Sequence, residues 1–134
     1  MKTPIALGTA LLMGVLAIHG GAHSIASAAP NGKALFDTNC STCHGSTGEG
    51  QPGVFPPLAK NPDVNAKDPK EIIHIVLNGL NAPKTILGKK YSGGMPAWKQ
   101  LSDSDIAAIL TYVRSSFGNK APAVTEKEVA AARK

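Results

Sequence analysis

The residues best suited to chemistry are two cysteines and a histidine in the run Cys40-Ser41-Thr42-Cys43-His44. A C-x-x-C-H spacing is typical of covalent attachment of a c-type haem. Two thiols three positions apart can each form a thioether with one haem vinyl group, and the next residue places an imidazole beneath the iron. Cys40 and Cys43 are the only cysteines in the chain. We therefore expect both to hold a haem, with His44 as the proximal ligand of its iron.

Three other uses of a closely spaced cysteine pair remain open. A thioredoxin-like redox pair needs a preceding strand and a following helix in a βαβ unit, and the sequence has no such pattern. A structural zinc site needs four ligands, but outside the motif and residues 1–28 the only other histidine is His74. A disulfide across the short loop is the third alternative. Haem is favoured because residues 1–28 also carry the features of an export signal.

A second candidate ligand lies in a glycine-flanked loop within residues 81–100. Outside residues 1–28, Met95 is the only methionine. A methionine on such a loop is poorly placed to fill a core, whereas its soft thioether suits the sixth position of a haem iron. The alternatives are His74 and the loop lysines. His74 points away from the apolar face of its predicted helix, and a lysine must lose a proton before it can ligate, so Met95 is preferred.

The stretch from 45 to 69 is rich in glycine and proline and has no periodicity, which predicts a long loop. A loop of this length is usually functional, and we expect it to pack against the cofactor. Its only apolar cluster, Val54-Phe55-Pro56-Pro57-Leu58, is expected to fold inwards. A proline keeps its carbonyl, and such a carbonyl beside the haem could accept the second N–H of the proximal imidazole and fix its tautomer.

Helical signals flank these two loops. Asp68 is predicted to cap a helix that has proline at its first position, and Ser102 or Asp103 can cap the strongest helix, which has an apolar i, i+3, i+4, i+7 pattern. A Thr125-x-x-Glu128 capping box marks a short helix in the tail. The predicted helical segments are residues 31–39, 68–79, 102–118 and part of 119–134.

Residues 1–28 have the features of a secretory signal peptide. An uncharged apolar run over residues 5–18 follows Lys2 and leads to Ala26-Ser27-Ala28, an A-x-A cleavage pattern. The run is shorter than the roughly 20 residues of a transmembrane helix. We expect cleavage after Ala28, export to the bacterial periplasm and no stable membrane insertion afterwards. An uncleaved anchor is the alternative.

Charge and composition narrow the class of partner. Of the 134 residues, removal of the first 28 leaves 106, with 13 Lys and Arg against 9 Asp and Glu, a formal charge of +4. No dense basic run or aromatic platform typical of nucleic-acid binding is present. Aromatic residues make up only 4% of the chain, which is little for a core of this size. A haem would supply the missing apolar surface.

These motifs together resemble the class I c-type cytochromes over residues 32–118. Gly32-x-x-x-Phe36 followed by the C-x-x-C-H run is similar to the N-terminal helix and attachment site of that family. Pro56-Pro57-Leu58 is similar to its P-x-L loop, and Met95-Pro96 to the segment of its distal ligand. The resemblance implies that Pro56 supplies the carbonyl that accepts from His44.

The resemblance also implies a fold. It is all-α, with three main helices and long loops wrapped around one covalently attached haem c. The N- and C-terminal helices would cross, so that Gly32 and Phe36 meet Leu110 or Tyr112. One domain would span residues 29–134, with a core at about 31–118 and a C-terminal extension over 119–134.

The function implied is electron transfer rather than catalysis. We expect a periplasmic one-electron carrier with a six-coordinate haem between His44 and Met95, monomeric unless part of a complex. The alternative is a haem c subunit bound to a periplasmic dehydrogenase, reductase or oxidase. Partners would be redox proteins. Acidic docking surfaces are expected on them because lysines bracket Met95 and no acidic residue lies between 81 and 100. These lysines are Lys84, Lys89, Lys90 and Lys99.

Overall fold

The computed structural model describes residues 28–134, so the predicted signal peptide lies outside the described residues except for Ala28. Within this part the chain forms five helices and one two-stranded sheet, where the sequence predicts four helices. The elements are α1 Gly32–Asn39, α2 Ser41–His44, α3 Lys70–Asn78, β1 Lys84–Ile86, β2 Lys89–Tyr91, α4 Asp103–Ser115 and α5 Glu126–Ala132. No helix among the described residues is long and apolar enough to cross a membrane.

Helix α1 crosses α4 at a glycine. A Cβ on Gly32 would overlap the carbonyl oxygen of Ala108 and would lie 3.1 Å from Cβ of Tyr112. One turn later Phe36 is fully buried, with its ring centroid 5.6 Å from that of Tyr112 and 5.3 Å from that of Phe117. The predicted crossing is therefore confirmed, with Tyr112 rather than Leu110 as the partner. The close approach explains a glycine inside a helix.

Helix α3 presents an apolar face to the core. Ile72, Ile73 and Leu77 are buried and His74 is exposed, as the helical phase predicts. The start is one residue later than predicted: Pro69 is the N-cap residue, while the carboxylate of Asp68 accepts from the Lys70 N–H at 3.0 Å. Asp68 thus satisfies an end of the helix from outside the cap position.

The segment 81–100, predicted as a loop, contains a β-hairpin. Strands β1 and β2 pair antiparallel, with Thr85 opposite Lys90 and Ile86 opposite Lys89. The hairpin is an addition to the predicted helices, and the prediction of an unbroken loop is wrong here. Strands of three residues are too short to show alternation, and the turn lacks the Asn-Gly or Asp-Gly pair that announces a hairpin.

The tail packs against the helices instead of trailing from them. Both halves of the predicted capping box of α5 form: the Glu128 N–H donates to Thr125 Oγ1 at 3.3 Å, and the Thr125 N–H donates to the Glu128 carboxylate at 2.7 Å. Val124 and Val129 are buried in one cluster with residues of α3 and α4. A short helix that is marginal alone is stabilised by this packing.

Candidate haem site

The attachment motif lies at the junction of two helices. The Cys40 N–H donates to the Phe36 carbonyl at 2.8 Å, which closes α1, and the single turn α2 then carries Cys43 and His44. Gly45 ends this turn with a φ of 78°. Both thiols are free. Burial raises the pKa of Cys40 to about 11, and the neighbouring Cys43 adds to the shift.

The imidazole of His44 is held by a backbone carbonyl. Its Nδ1 lies 3.0 Å from the carbonyl oxygen of Pro56. A carbonyl only accepts, so Nδ1 must carry the proton, and in the neutral ring Nε2 keeps a free lone pair. Burial lowers the pKa of His44, and the hydrogen bond to Pro56 works in the opposite direction. A neutral imidazole of this tautomer is suited to bind a metal through Nε2.

The loop that carries Pro56 is ordered by backbone hydrogen bonds. The Gly50 N–H donates to the His44 carbonyl at 2.7 Å, the Gln51 N–H to the Phe55 carbonyl at 2.8 Å, and the Leu58 N–H to the Gly48 carbonyl at 2.8 Å. Gly50 has a φ of 68°, and a Cβ there would lie 2.7 Å from the Pro56 carbonyl oxygen. The glycines seen in the sequence thus allow the loop to fold back on the motif.

Met95 is positioned by its backbone. Its N–H and C=O pair with the C=O and N–H of Leu80, at 2.8 and 2.9 Å. The end of α3 makes this approach possible, because Gly79 has a φ of 74° and a Cβ there would lie 2.5 Å from the Met95 carbonyl oxygen. The side chain of Met95 is partly buried. Because both backbone groups of Met95 are hydrogen-bonded, the position of its Cα, from which the thioether side chain extends, is fixed.

The two long loops also contact each other. The Gly93 N–H donates to the Val54 carbonyl at 2.8 Å, and the Ser92 N–H donates to the Gly53 carbonyl at 3.1 Å. A Cβ on Gly93 would lie 2.6 Å from the Val54 oxygen and 2.8 Å from the Phe55 ring. The segment that carries Met95 is therefore fastened to the segment that carries Pro56.

One cavity brings the candidate residues together. Its empty volume is about 1110 Å³, including space open to solvent. Cys40, Cys43, His44, Pro56 and Met95 all line it. Most of the remaining wall is apolar. It includes Phe36, Phe55, Leu58, Val64, Ile72, Ile75, Val76, Leu80, Ile86, Ile109, Leu110 and Val113.

The cavity suits a haem. Ligand cavities in proteins are mostly apolar, with a few placed polar groups. Here the polar groups include two free thiols, an imidazole with a fixed tautomer and a thioether, and these are the groups that hold an iron porphyrin. Side-chain donors that could meet the carboxylates of such a group come from Tyr91 and Trp98.

Lys84 departs from the sequence prediction. Its Nζ lies 3.0 Å from a carboxylate oxygen of Asp63 and 3.1 Å from one of Glu71, and its side chain is only 23% exposed. Burial opposes protonation, but the hydrogen bonds to both carboxylates raise the pKa of Lys84 overall. Lys84 is therefore not a free docking charge. Sequence reasoning missed the pairing because both acids lie outside residues 81–100.

The alternative ligand His74 does not reach the cavity. It is exposed on α3 and does not line the cavity wall. Among the described residues no group of three or more His, Cys, Asp and Glu side chains could hold a metal ion, so the structure gives the zinc interpretation no support.

The chain is similar to known cytochromes c. The family model for cytochrome c matches residues 29–117. The chain is 35% identical over 98 residues to a cytochrome c-552 of Thermus thermophilus, covering 71% of this chain and 66% of that protein. It is 36% identical over 107 residues to the cytochrome c subunit of gluconate 2-dehydrogenase from Pantoea cypripedii, covering 77% and 24%.

A subunit of a cbb3-type cytochrome c oxidase from Azospirillum brasilense is 32% identical over 101 residues, covering 71% of this chain and 30% of the subunit. The matched segment thus spans about two thirds of the Thermus protein and under a third of the other two. The matching region of this chain contains the paired cysteines and the cavity described above. The chain belongs to the cytochrome c family, an electron-transfer domain whose cofactor is a covalently attached haem c.

Proposed function

We propose that the chain is a periplasmic one-electron carrier in which Cys40 and Cys43 hold the haem by thioethers and His44 and Met95 are the axial ligands of its iron. The observation that carries the proposal is that a single apolar cavity is lined by all four residues. The haem, when bound, supplies a one-electron Fe(III)/Fe(II) couple.

His44 contributes a ligand of fixed orientation. The protonated Nδ1 of His44 donates to the Pro56 carbonyl oxygen, 3.0 Å away. This hydrogen bond fixes the tautomer and leaves the lone pair of Nε2 for the iron. The same hydrogen bond increases the electron density on the imidazole, so it makes Nε2 a stronger donor. Pro56 is thus a positioning residue that acts through His44.

Met95 contributes the opposite ligand. The pairing of its backbone with Leu80 supports this role because it restricts where the thioether can lie. Lys84, a lysine that also lines the cavity, is engaged by Asp63 and Glu71. A protonated lysine has no lone pair to offer, so Met95 is the better ligand.

The cavity wall is mostly apolar, so it would surround a bound haem with few polar groups. An apolar surrounding disfavours the added positive charge of the ferric state, so burial raises the reduction potential. With His44 and Met95 as its two ligands, the iron would have no position left for a substrate. This arrangement supports electron transfer rather than catalysis.

The periplasm is proposed from residues 1–28, whose apolar run and Ala26-Ser27-Ala28 site fit a cleaved signal. Covalent haem attachment needs reduced thiols in an exported chain, which agrees with this location. The partners would be redox proteins.

A bound subunit is the second candidate. It is favoured by the relatives named as subunits of gluconate 2-dehydrogenase and of a cbb3-type oxidase. The native size of the haem protein in a periplasmic extract at natural abundance separates the two functions. A free carrier elutes at the size of one small domain, whereas a subunit elutes with a larger enzyme.

A redox titration of the purified holoprotein tests the carrier function. We expect one reversible one-electron transition, together with a ferrous spectrum that carbon monoxide does not change, because both axial positions are filled. A ferrous spectrum that shifts promptly with carbon monoxide would mean an open iron site and would contradict the proposal.

A further inference from the structure

The β1–β2 hairpin carries an unusual tip. Its two turn residues are Leu87, with a φ of 51°, and Gly88, with a φ of 76°. Positive φ at both central residues is the signature of a type I′ turn, where Asn-Gly or Asp-Gly is the preferred pair. A leucine in this region is uncommon because its Cβ is crowded against the backbone. Residue 87 is therefore occupied by a side chain that the turn itself does not favour.

The same leucine is exposed. Leu87 is 66% exposed, and no other large hydrophobic side chain among residues 28–134 is exposed. A single exposed leucine is ordinary on a protein surface. Leu87 differs because it combines exposure with a strained backbone, so neither packing nor local conformation accounts for the residue type. Strain of this kind tends to be retained at binding sites.

The tip lies next to the haem cavity. Ile86, which precedes Leu87, is 2% exposed and lines the cavity, as does Tyr91 at the other end of the hairpin. A partner that holds Leu87 would therefore be seated close to the cofactor. Electron transfer between proteins requires a short distance between the two redox centres, and a small, weak interface is sufficient for it.

Two free cations follow the tip, whereas the carboxylates of Asp63 and Glu71 pair with Lys84 at the start of β1. Lys89 and Lys90 follow the turn, are exposed, and form no ion pair within the described part of the chain. No acidic residue lies between 81 and 100. The apolar side chain of Leu87 beside Lys89 and Lys90 is complementary to a partner surface with an apolar depression and carboxylates around it.

We infer that the Leu87 tip of the β1–β2 hairpin is the docking anchor for a redox protein that offers an apolar depression with an acidic rim. This inference rests on the proposed carrier function. Leu87 supplies apolar contact that slows dissociation, while Lys89 and Lys90 steer the approach. An anionic membrane could also bind an apolar side chain that lies beside two lysines. It is less suitable because one leucine and two lysines make too few contacts for stable anchoring, since even a single acyl chain gives only marginal binding.

The test compares variants of the full holoprotein. The pre-reduced protein is mixed with the cell-envelope fraction of the organism that produces it, and the second-order rate of haem oxidation is followed by absorbance.

Leu87→Asn removes the apolar contact and suits positive φ, so it should unfold at the same or higher urea concentration. We expect its oxidation to be slower by about fivefold or more, since one buried leucine is worth about tenfold in affinity or more. Leu87→Met should stay within about twofold of the wild type, because it keeps the apolar reach.

The outcomes separate the two proposals. If Leu87→Asn is oxidised as fast as the wild type, the docking inference is wrong and the carrier function stands. If the wild-type protein is not oxidised at all, the carrier function fails and the docking inference falls with it. Binding to phosphatidylglycerol vesicles that needs Leu87, with an oxidation rate that does not, would assign the tip to a membrane and overturn the inference.

Discussion

His44 and Met95 reach the same cavity through different kinds of support. The imidazole is fixed by its own hydrogen bond to Pro56, whereas Met95 is fixed through the pairing of its backbone with Leu80. Each residue could be named from the sequence because of its type, its spacing and the lack of competitors. The partner of Lys84 could not be named, since ion pairs between distant segments leave no local pattern.

Replacing Met95, the proposed distal ligand, tests its role. Met95→Ala should keep the haem attached but open the iron to water or carbon monoxide. The midpoint potential should fall by a sizeable part of the roughly 0.8 V range that axial ligands set. Spectra and a redox titration measure both effects. His74→Ala is the matched control and should change neither, because His74 is exposed and outside the cavity wall. A Met95→Ala protein with wild-type spectra would exclude Met95 as the ligand.

At the scale of elements, the helices follow local signals and the loops follow long-range contacts. Gly79 and the capping residues mark helix ends in the sequence itself. By contrast, the hairpin turn at Leu87 contradicts its local preference, and the contact between Gly93 and Val54 joins residues 39 positions apart. Such pairings depend on what the loops enclose, so the sequence predicted long loops but not how they are joined.

Two glycines separate backbone strain from displacement of Met95. Gly79 and Gly53 have similar φ values, 74° and 72°, but a Cβ on Gly79 would lie 2.5 Å from the Met95 carbonyl oxygen and one on Gly53 would meet nothing within 4 Å. Gly53→Ala should lose roughly 1–2 kcal/mol of stability through positive φ, and Gly79→Ala should lose more, because its Cβ would also overlap the backbone of Met95. Only Gly79→Ala should also weaken the distal ligand, seen as faster carbon monoxide binding to the ferrous protein. Equal carbon monoxide rates in the two variants would contradict the role of Gly79.

At the scale of the molecule, a buried arginine joins the tail to the cavity wall. Arg114 has no exposed surface, and its guanidinium donates to the carbonyls of Pro122 at 2.7 Å, Val64 at 2.7 Å and Ala66 at 2.9 Å. Val64 lines the haem cavity. The tail is thereby part of the structure that holds the site.

Two arginines test this connection. Arg114→Met leaves three carbonyls without donors and should cost about 3 kcal/mol or more, because each unpaired buried group costs about 1–3 kcal/mol. Arg133 also makes three polar contacts, to Asp103, Lys99 and Leu101, but at the surface. Arg133→Met should therefore cost about 1 kcal/mol or less. Urea unfolding of the holoproteins gives both values. Equal losses would show that burial of Arg114 is unimportant.

The charge of the whole molecule should influence its reactions. With Lys84 paired, Lys89 and Lys90 remain the free cations of the hairpin. Oxidation by the cell-envelope fraction should slow as salt rises from 0.01 to 0.1 M, over which the Debye length falls from about 30 to 10 Å. Lys89→Glu with Lys90→Glu should slow the reaction at low salt and flatten the salt dependence. Lys120→Glu with Lys127→Glu makes the same change in net charge elsewhere and should have a smaller effect. A rate that is indifferent to salt would point to an apolar docking face alone.

The most direct test of the central claim is the proton NMR spectrum of the ferrous holoprotein. A methionine bound to haem iron lies over the ring, so its methyl resonance is displaced far upfield of all other methyl signals by the ring current. We predict one such three-proton resonance in the wild type, present in His74→Ala and lost in Met95→Ala. Its absence from the wild-type spectrum, or its survival in Met95→Ala, would contradict ligation of the iron by His44 and Met95.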